Sequence, residues 1–108
     1  VPELPDIELY LHALRGRVVG KQLQRVRLAS AFLLRTVDPP IAEVEKRRVV
    51  GLRRLGKRIV FELEGELFLV LHLMVAGRLR WERWGTAPPG RIGLAAFDFE
   101  DATLVLTE

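Results

Sequence analysis

The sequence predicts a mainly β fold of the α+β type: a two-layer antiparallel sandwich flanked by an N-terminal helix and a second short helix. Three observations predict it. From residue 49 onward the chain is a succession of short runs in which apolar and polar residues alternate, the two-residue period of a half-buried strand. Gly65, Ala87-Pro88-Pro89-Gly90 and Glu100-Asp101 punctuate those runs as turns. Helical spacing is confined to the first half of the chain. About seven short strands with regular turns and two helices at the side suit a sandwich better than a parallel sheet.

The elements follow in order. Leu4 to Arg15 reads as the first helix, with Ile7, Leu11 and Leu14 on one face, Tyr10 beside them and Gly16 as the stop. Lys21 to Leu28 alternates imperfectly, as one twisted or bulged strand would. Asp38-Pro39-Pro40 is a break, and Ile41 to Arg47 is a short second helix with Ile41 and Val44 inward. Strands follow over Val49–Leu55, Lys57–Leu63 and Leu67–Ala76. Leu79 and Trp81 then alternate with Arg78, Arg80 and Glu82, and Ile92–Phe99 and Thr103–Thr107 complete the set. There is no internal repeat.

Composition narrows the class. A chain of 108 residues is one domain, large enough to bury about two-thirds of its unfolded surface. Nearly half the residues are apolar, which excludes a disordered chain. No cysteine is present, so disulfides and thiolate zinc sites are excluded within these residues, and a reducing compartment fits. The longest apolar run, Leu67 to Ala76, is interrupted by His72 and too short for a bilayer. We therefore expect an intracellular, cytoplasmic protein. The last strand runs to Glu108 without a polar tail, from which we expect an N-terminal domain of something longer.

The net charge of +3 is unevenly spread. Residues 1–58 carry 13 Lys/Arg against 6 Asp/Glu, whereas residues 59–108 carry 4 against 8. Seven of the thirteen residues 46–58 are basic. Such a run attracts polyanions, of which a phosphate backbone is the usual one; a solvated strand edge guarded by Lys and Arg is the plainer explanation.

The chemistry lies in the opening Val1-Pro2-Glu3-Leu4-Pro5-Asp6. If Val1 stands for a GTG start, initiation with methionine and its removal would leave Pro2 as the first residue. Its nitrogen would then be a free secondary amine, roughly a tenth of it neutral at pH 7. Such an amine can attack a carbonyl or sugar carbon and collapse to an iminium ion, with Glu3 moving the proton. The structural explanation is that Pro and acidic residues simply suit a helix start. With Val1 attached, the Pro2 nitrogen is an amide and cannot attack.

Two residues further along carry weight. Strand parity puts Lys57 on the face of Ile59, Phe61 and Leu63, at the mouth of the core, where it could hold a phosphate or merely snorkel. Arg58 faces the other way. His72 falls in the most apolar strand, on the face of Phe68, Val70 and Met74, where a histidine is most often a satisfied core residue. His12 stands alone in the first helix, and no second histidine or carboxylate cluster suggests a metal. Trp81 and Trp84 lie among arginines and could stack on bases, though packing explains them as well.

Pro2-Glu3-Leu4-Pro5-Asp6-Ile7-Glu8, Arg53-Arg54-Leu55-Gly56-Lys57 and His72-Leu73-Met74-Val75-Ala76-Gly77, in that order and spacing, resemble the N-terminal domain of the formamidopyrimidine-DNA glycosylase/endonuclease VIII family. The likeness covers essentially all 108 residues but only the first part of a typical member. It implies a base-excision repair enzyme, a bifunctional DNA glycosylase and AP lyase acting on duplex DNA with an oxidised base or abasic site. By this likeness Pro2 attacks C1′ and forms the Schiff base, Glu3 assists, and β,δ-elimination cuts the strand. By the same likeness Lys57 looks like the family's strand lysine, a catalytic residue that contacts phosphate or lesion, and His72 looks like its second phosphate contact, with Arg58 and Val75 expected beside them at the DNA.

Val75 stands where the family's His-Leu-Gly-Met-Ser-Gly stretch has the methionine that fills the space of the extruded base. The shorter side chain puts lesion preference in question. A helix-two-turns-helix and finger domain is expected beyond these residues, with any zinc in that finger and no cofactor in this chain. The resemblance implies a monomer, nucleoid-associated, whose first 108 residues alone bind and cleave DNA poorly. Two other readings stand beside it. One is a tautomerase-like enzyme using an N-terminal proline as base; the other is a damaged-DNA-binding module of the same fold without turnover.

Overall fold

The computed structural model describes residues 4–29, 40–73 and 78–108. The helix α1 spans Leu4–Val18. It runs through Gly16 because Val18 continues the stripe of Ile7, Leu11 and Leu14, all buried against the core. Burying that valine outweighs the roughly 1 kcal/mol that a mid-helix glycine costs. The helix stops instead at Gly20, whose φ of +88° is the left-handed turn a helix end favours.

The segment read as one strand is two. β1 (Gln22–Leu23) pairs with β3 (Arg47–Leu55), whereas β2 (Arg25–Leu28) pairs with β7 (Gly93–Asp98). Between them Gln24 donates its N–H to the Asp98 carbonyl at 2.7 Å, so the chain changes sheets at that residue. This corner is the physical cause of the imperfect alternation.

The second helix is shorter than expected, a single 3-10 turn over Ile41–Val44 with Val44 buried and Ile41 packed on the core. Lys46 takes a φ of +66°, which ends any helix, and β3 starts directly after it. The remaining strands are β4 (Arg58–Leu63), β5 (Leu67–His72), β6 (Arg78–Arg83) and β8 (Ala102–Thr107).

All strand pairing is antiparallel. One sheet has the order β1-β3-β4-β5 and the other β2-β7-β8-β6. The inward rows of the first sheet are Leu52–Phe61–Leu69 and Arg54–Ile59–Leu71. They meet Ala95, Phe97, Leu104 and Leu106 of the second sheet in one core with α1. β8 is buried along its whole length, since it lies between β6 and β7. The expected two-layer sandwich with a flanking helix is therefore the observed fold. Among the described residues no helix is long and apolar enough to cross a membrane.

Candidate functional site

The β3–β4 hairpin builds the site. Leu55 pairs with Arg58, leaving Gly56 and Lys57 as a two-residue turn. Gly56 has a φ of +60°, the sign that the tight hairpin turns matching strand twist require and that a side chain resists. Lys57 is consequently a turn residue and exposed, not the first residue of a strand at the mouth of the core. Strand parity misplaced it because the pleat ends at Arg58.

His72 also needs correcting. Arg58 pairs with His72, Val60 with Val70 and Glu62 with Phe68, so these six share the outer face of the first sheet. Phe68 and Val70 are half exposed and His72 is exposed; the inward face of β5 is Leu67, Leu69 and Leu71. The strand also ends at His72 and not at Ala76. A nearly continuous apolar run hid which parity faced the core. The correction moves His72 from a core histidine to an accessible side chain level with Arg58.

The result is a cationic end of the sandwich. Leu55, Arg58 and His72 form its last outer row, Lys57 is exposed in the adjoining turn, and Arg53 lies one row behind, opposite Val60. Among the described residues neither Arg58 nor His72 makes an ion pair or side-chain hydrogen bond. Arg53 sits 3.3 Å from Glu62 and its guanidinium lies 5.9 Å from the Phe68 ring centre.

Arg54, on the opposite face, reaches the helix: its Nε donates to Glu8 Oε1 at 2.9 Å and Nη1 to the Gly56 carbonyl at 3.0 Å. That ion pair holds the N-terminal half of α1 against the lysine turn. Sequence pattern carries no signal for it, since its partners lie 46 residues apart.

The basic run 46–58 is thus not one patch. Arg47 donates to the carbonyls of Glu43 and Glu64, and Arg48 to that of Gly20 with Glu100 at 3.8 Å. These two tie loops together about 25 Å along the strand from the hairpin end, at the usual rise per strand residue. Trp81 and Trp84 are likewise structural. Trp81 packs on Phe99 with Arg17 over its ring, and the Trp84 N–H donates to the Phe99 carbonyl at 2.9 Å under Arg25.

Pro2, Glu3 and Val75 lie outside the described residues. Pro2 and Glu3 directly precede α1, and Val75 falls in the connection between His72 and Arg78. Among the described residues no group of three or more His, Asp or Glu could hold a metal.

Comparison with known proteins agrees with this geometry. The family model described as the formamidopyrimidine-DNA glycosylase N-terminal domain matches residues 1–107, and the chain belongs to that family. A formamidopyrimidine-DNA glycosylase of Mycoplasma genitalium is 29% identical over 105 residues, covering 95% of this chain and 37% of the relative. One from Burkholderia multivorans is 33% identical over 97 residues, covering 89% and 33%. The chain therefore spans about a third of the length of the relatives it matches.

Among solved structures, an inhibited LlFpg in complex with N7-benzyl-Fapy-dG containing DNA superposes with a TM-score of 0.88 at 25% identity. That match covers 99% of this chain and 40% of the other. The Lactococcus lactis Fpg complex with an abasic site containing DNA gives 0.86 at 23% identity, covering 98% of this chain and 40% of that one, a likeness of fold.

Proposed function

We propose that this chain is the catalytic N-terminal domain of a bifunctional DNA glycosylase and AP lyase that removes oxidised bases from duplex DNA. The observation that carries this reading is the cationic hairpin end. It unites the Lys57 turn, Arg58 and His72 at the end of the sandwich to which Arg54 draws α1. Lys57 and Arg58 supply charge, and His72 a hydrogen-bonding ring, to hold backbone phosphates on either side of a lesion.

In this mechanism Val1 is removed or never retained, and the secondary amine of Pro2 attacks C1′ of the damaged nucleotide. The base leaves, and the ring-opened sugar remains joined to Pro2 as an iminium. Glu3 protonates the deoxyribose oxygen and relays protons. The iminium acidifies the adjacent C2′–H, so elimination expels the 3′-phosphate and then the 5′-phosphate. Val75 fills part of the space left by the extruded base. Following the family resemblance, we assign any zinc to a finger in a further domain of the full protein. Without the opposite wall of a DNA cleft, residues 1–108 alone bind DNA weakly and turn over poorly.

The test is borohydride trapping of the full natural protein on a duplex with one abasic site, followed by peptide mapping. An adduct on Pro2 is the expected result. Intact DNA binding without an adduct would transfer the assignment to a damaged-DNA reader, which the valine at position 75 and the residue ahead of Pro2 also suit.

A further inference from the structure

Arg54 is placed unusually for a strand residue next to a hairpin. It belongs to the inward row with Ile59 and Leu71, both buried, yet its guanidinium emerges at the end of that row and meets two separate elements. One arm reaches Glu8 on α1 and the other the carbonyl of Gly56. The pair is open to solvent, with side-chain exposures of 37% and 55%, so it adds little to stability. Its consequence is geometric. The Gly56 carbonyl is coplanar with the amide nitrogen and Cα of Lys57. Holding that oxygen fixes the peptide plane from which the lysine side chain departs, while Glu8 ties the same guanidinium to the helix that begins one residue after Glu3.

Resting on the glycosylase reading above, we infer that Arg54 is a positioning residue that sets the Lys57 turn against α1, the helix that follows the nucleophile proposed there. It acts through the Glu8–Arg54–Gly56 bridge and not by touching DNA. The planar guanidinium serves two acceptors in different directions at once; a lysine at the same place keeps the charge but cannot hold that fork. Arg54→Lys therefore separates the two roles. A phosphate contact survives it, and a two-armed brace does not.

The test uses the full natural protein and four variants: R54K, E8Q, K57A and the double variant R54K/K57A. Single-turnover borohydride trapping on an abasic-site duplex at saturating protein, DNA affinity, and amide exchange at Gly56 and Lys57 are measured on each. R54K is expected to slow trapping about tenfold, because small misplacements of reacting groups cost rate steeply. Its DNA affinity should stay within about threefold, since the charge is retained. E8Q should follow in the same direction, and the double variant should be no slower than K57A. Exchange at the turn should quicken in R54K while the strands stay protected.

Trapping of R54K at the native rate would overturn the inference. So would multiplication of the R54K and K57A losses, which would put Arg54 on the DNA in its own right. If the unaltered protein forms no adduct, the glycosylase reading fails, and exchange alone decides the brace: unchanged protection in R54K overturns it, and faster exchange upholds it.

Discussion

The molecule carries two arginine–carboxylate assemblies of opposite character. Asp98, at the end of β7, is completely buried. Arg27 donates to it at 2.9 Å, and Arg25 and the Thr103 hydroxyl close the remaining positions. Arg27 also donates to the Thr86 carbonyl at 2.8 Å, so the loop after β6 is joined to the same carboxylate. Glu8, by contrast, holds a single arginine and stands half exposed. Satisfying a buried charge from several sides makes an assembly that cannot be altered without cost to the fold. An exposed pair can be removed with the fold intact, and this leaves it free to serve position.

The sharpest way to break this contrast is Asp98→Ala against Glu8→Gln. Removing Asp98 takes away the buried carboxylate that joins Arg25, Arg27 and the Thr103 hydroxyl, and is expected to cost about 3 kcal/mol. That is a large share of the roughly 5–15 kcal/mol available to a small domain. Glu8→Gln should cost under about 1 kcal/mol. Urea unfolding of both variants checks the pair, and similar losses would erase the distinction between the two assemblies.

Next in size is Gly93→Ala, at the start of β7. A methyl there would lie 2.6 Å from the Pro88 Cβ and 2.7 Å from the Pro88 carbonyl carbon and the Pro89 oxygen. Those are backbone and ring atoms that cannot swing aside, and the Gly93 N–H already donates to the Pro89 carbonyl at 2.6 Å. A loss of about 1–3 kcal/mol is expected, read as a lowered denaturation midpoint. Its cause lies in the loop that Arg27 joins to Asp98 through the Thr86 carbonyl, so the two losses should couple and not simply add.

Legibility in the sequence follows the same division. The sandwich, the first helix and the hairpins are visible because they rest on local periodicity and turn residues. Ile7, Leu11 and Leu14 point inward as spacing predicts, and Leu79 and Trp81 alternate with charged neighbours as observed. What periodicity could not show is where a continuous apolar run turns its faces. Leu67 to Leu71 offers an apolar residue at each position, so pattern alone turns the His72 face inward where the structure turns it outward. Nor could it show contacts between distant residues. Asp98 with Arg25, and Arg54 with Glu8, join positions 73 and 46 residues apart. Motif order in the sequence marks the site, and its internal bracing exists only as three-dimensional contact.

Acid sharpens the comparison further. Burial pushes the Asp98 carboxyl up, but hydrogen bonds from Arg27, Thr103 and Arg25 pull it further down, leaving it below the ordinary carboxylate range. A carboxyl lowered in the folded state contributes stability that is present above its unfolded value near 3.8 and lost as pH falls through the folded one. Thermal melting from neutral pH downward should therefore show an Asp98-dependent decline that begins around the unfolded value and completes only in stronger acid. In Asp98→Asn that limb should flatten, because the amide does not titrate. An unchanged acid limb in the asparagine variant would mean that other carboxyls set it.

The smallest expected effect bears on the division of the basic run. Arg47 and Arg48 are committed to carbonyls and acids of the loops at the far end of β3, whereas Arg58 has no ion pair among the described residues and, like Lys57, is exposed at the hairpin end. Each phosphate contact contributes about 0.9 to the slope of log affinity against log salt. Lys57→Ala and Arg58→Ala in the full natural protein should each lower that slope by about 1, uniformly across DNA sequences. Arg47→Ala and Arg48→Ala should leave the slope unchanged and shift only stability, by about 1 kcal/mol for each lost carbonyl contact. Equal slope changes at all four positions would mean that DNA follows the whole length of β3. A change confined to Lys57 and Arg58 would place the phosphate contacts at the hairpin end, beside the helix that Arg54 holds there.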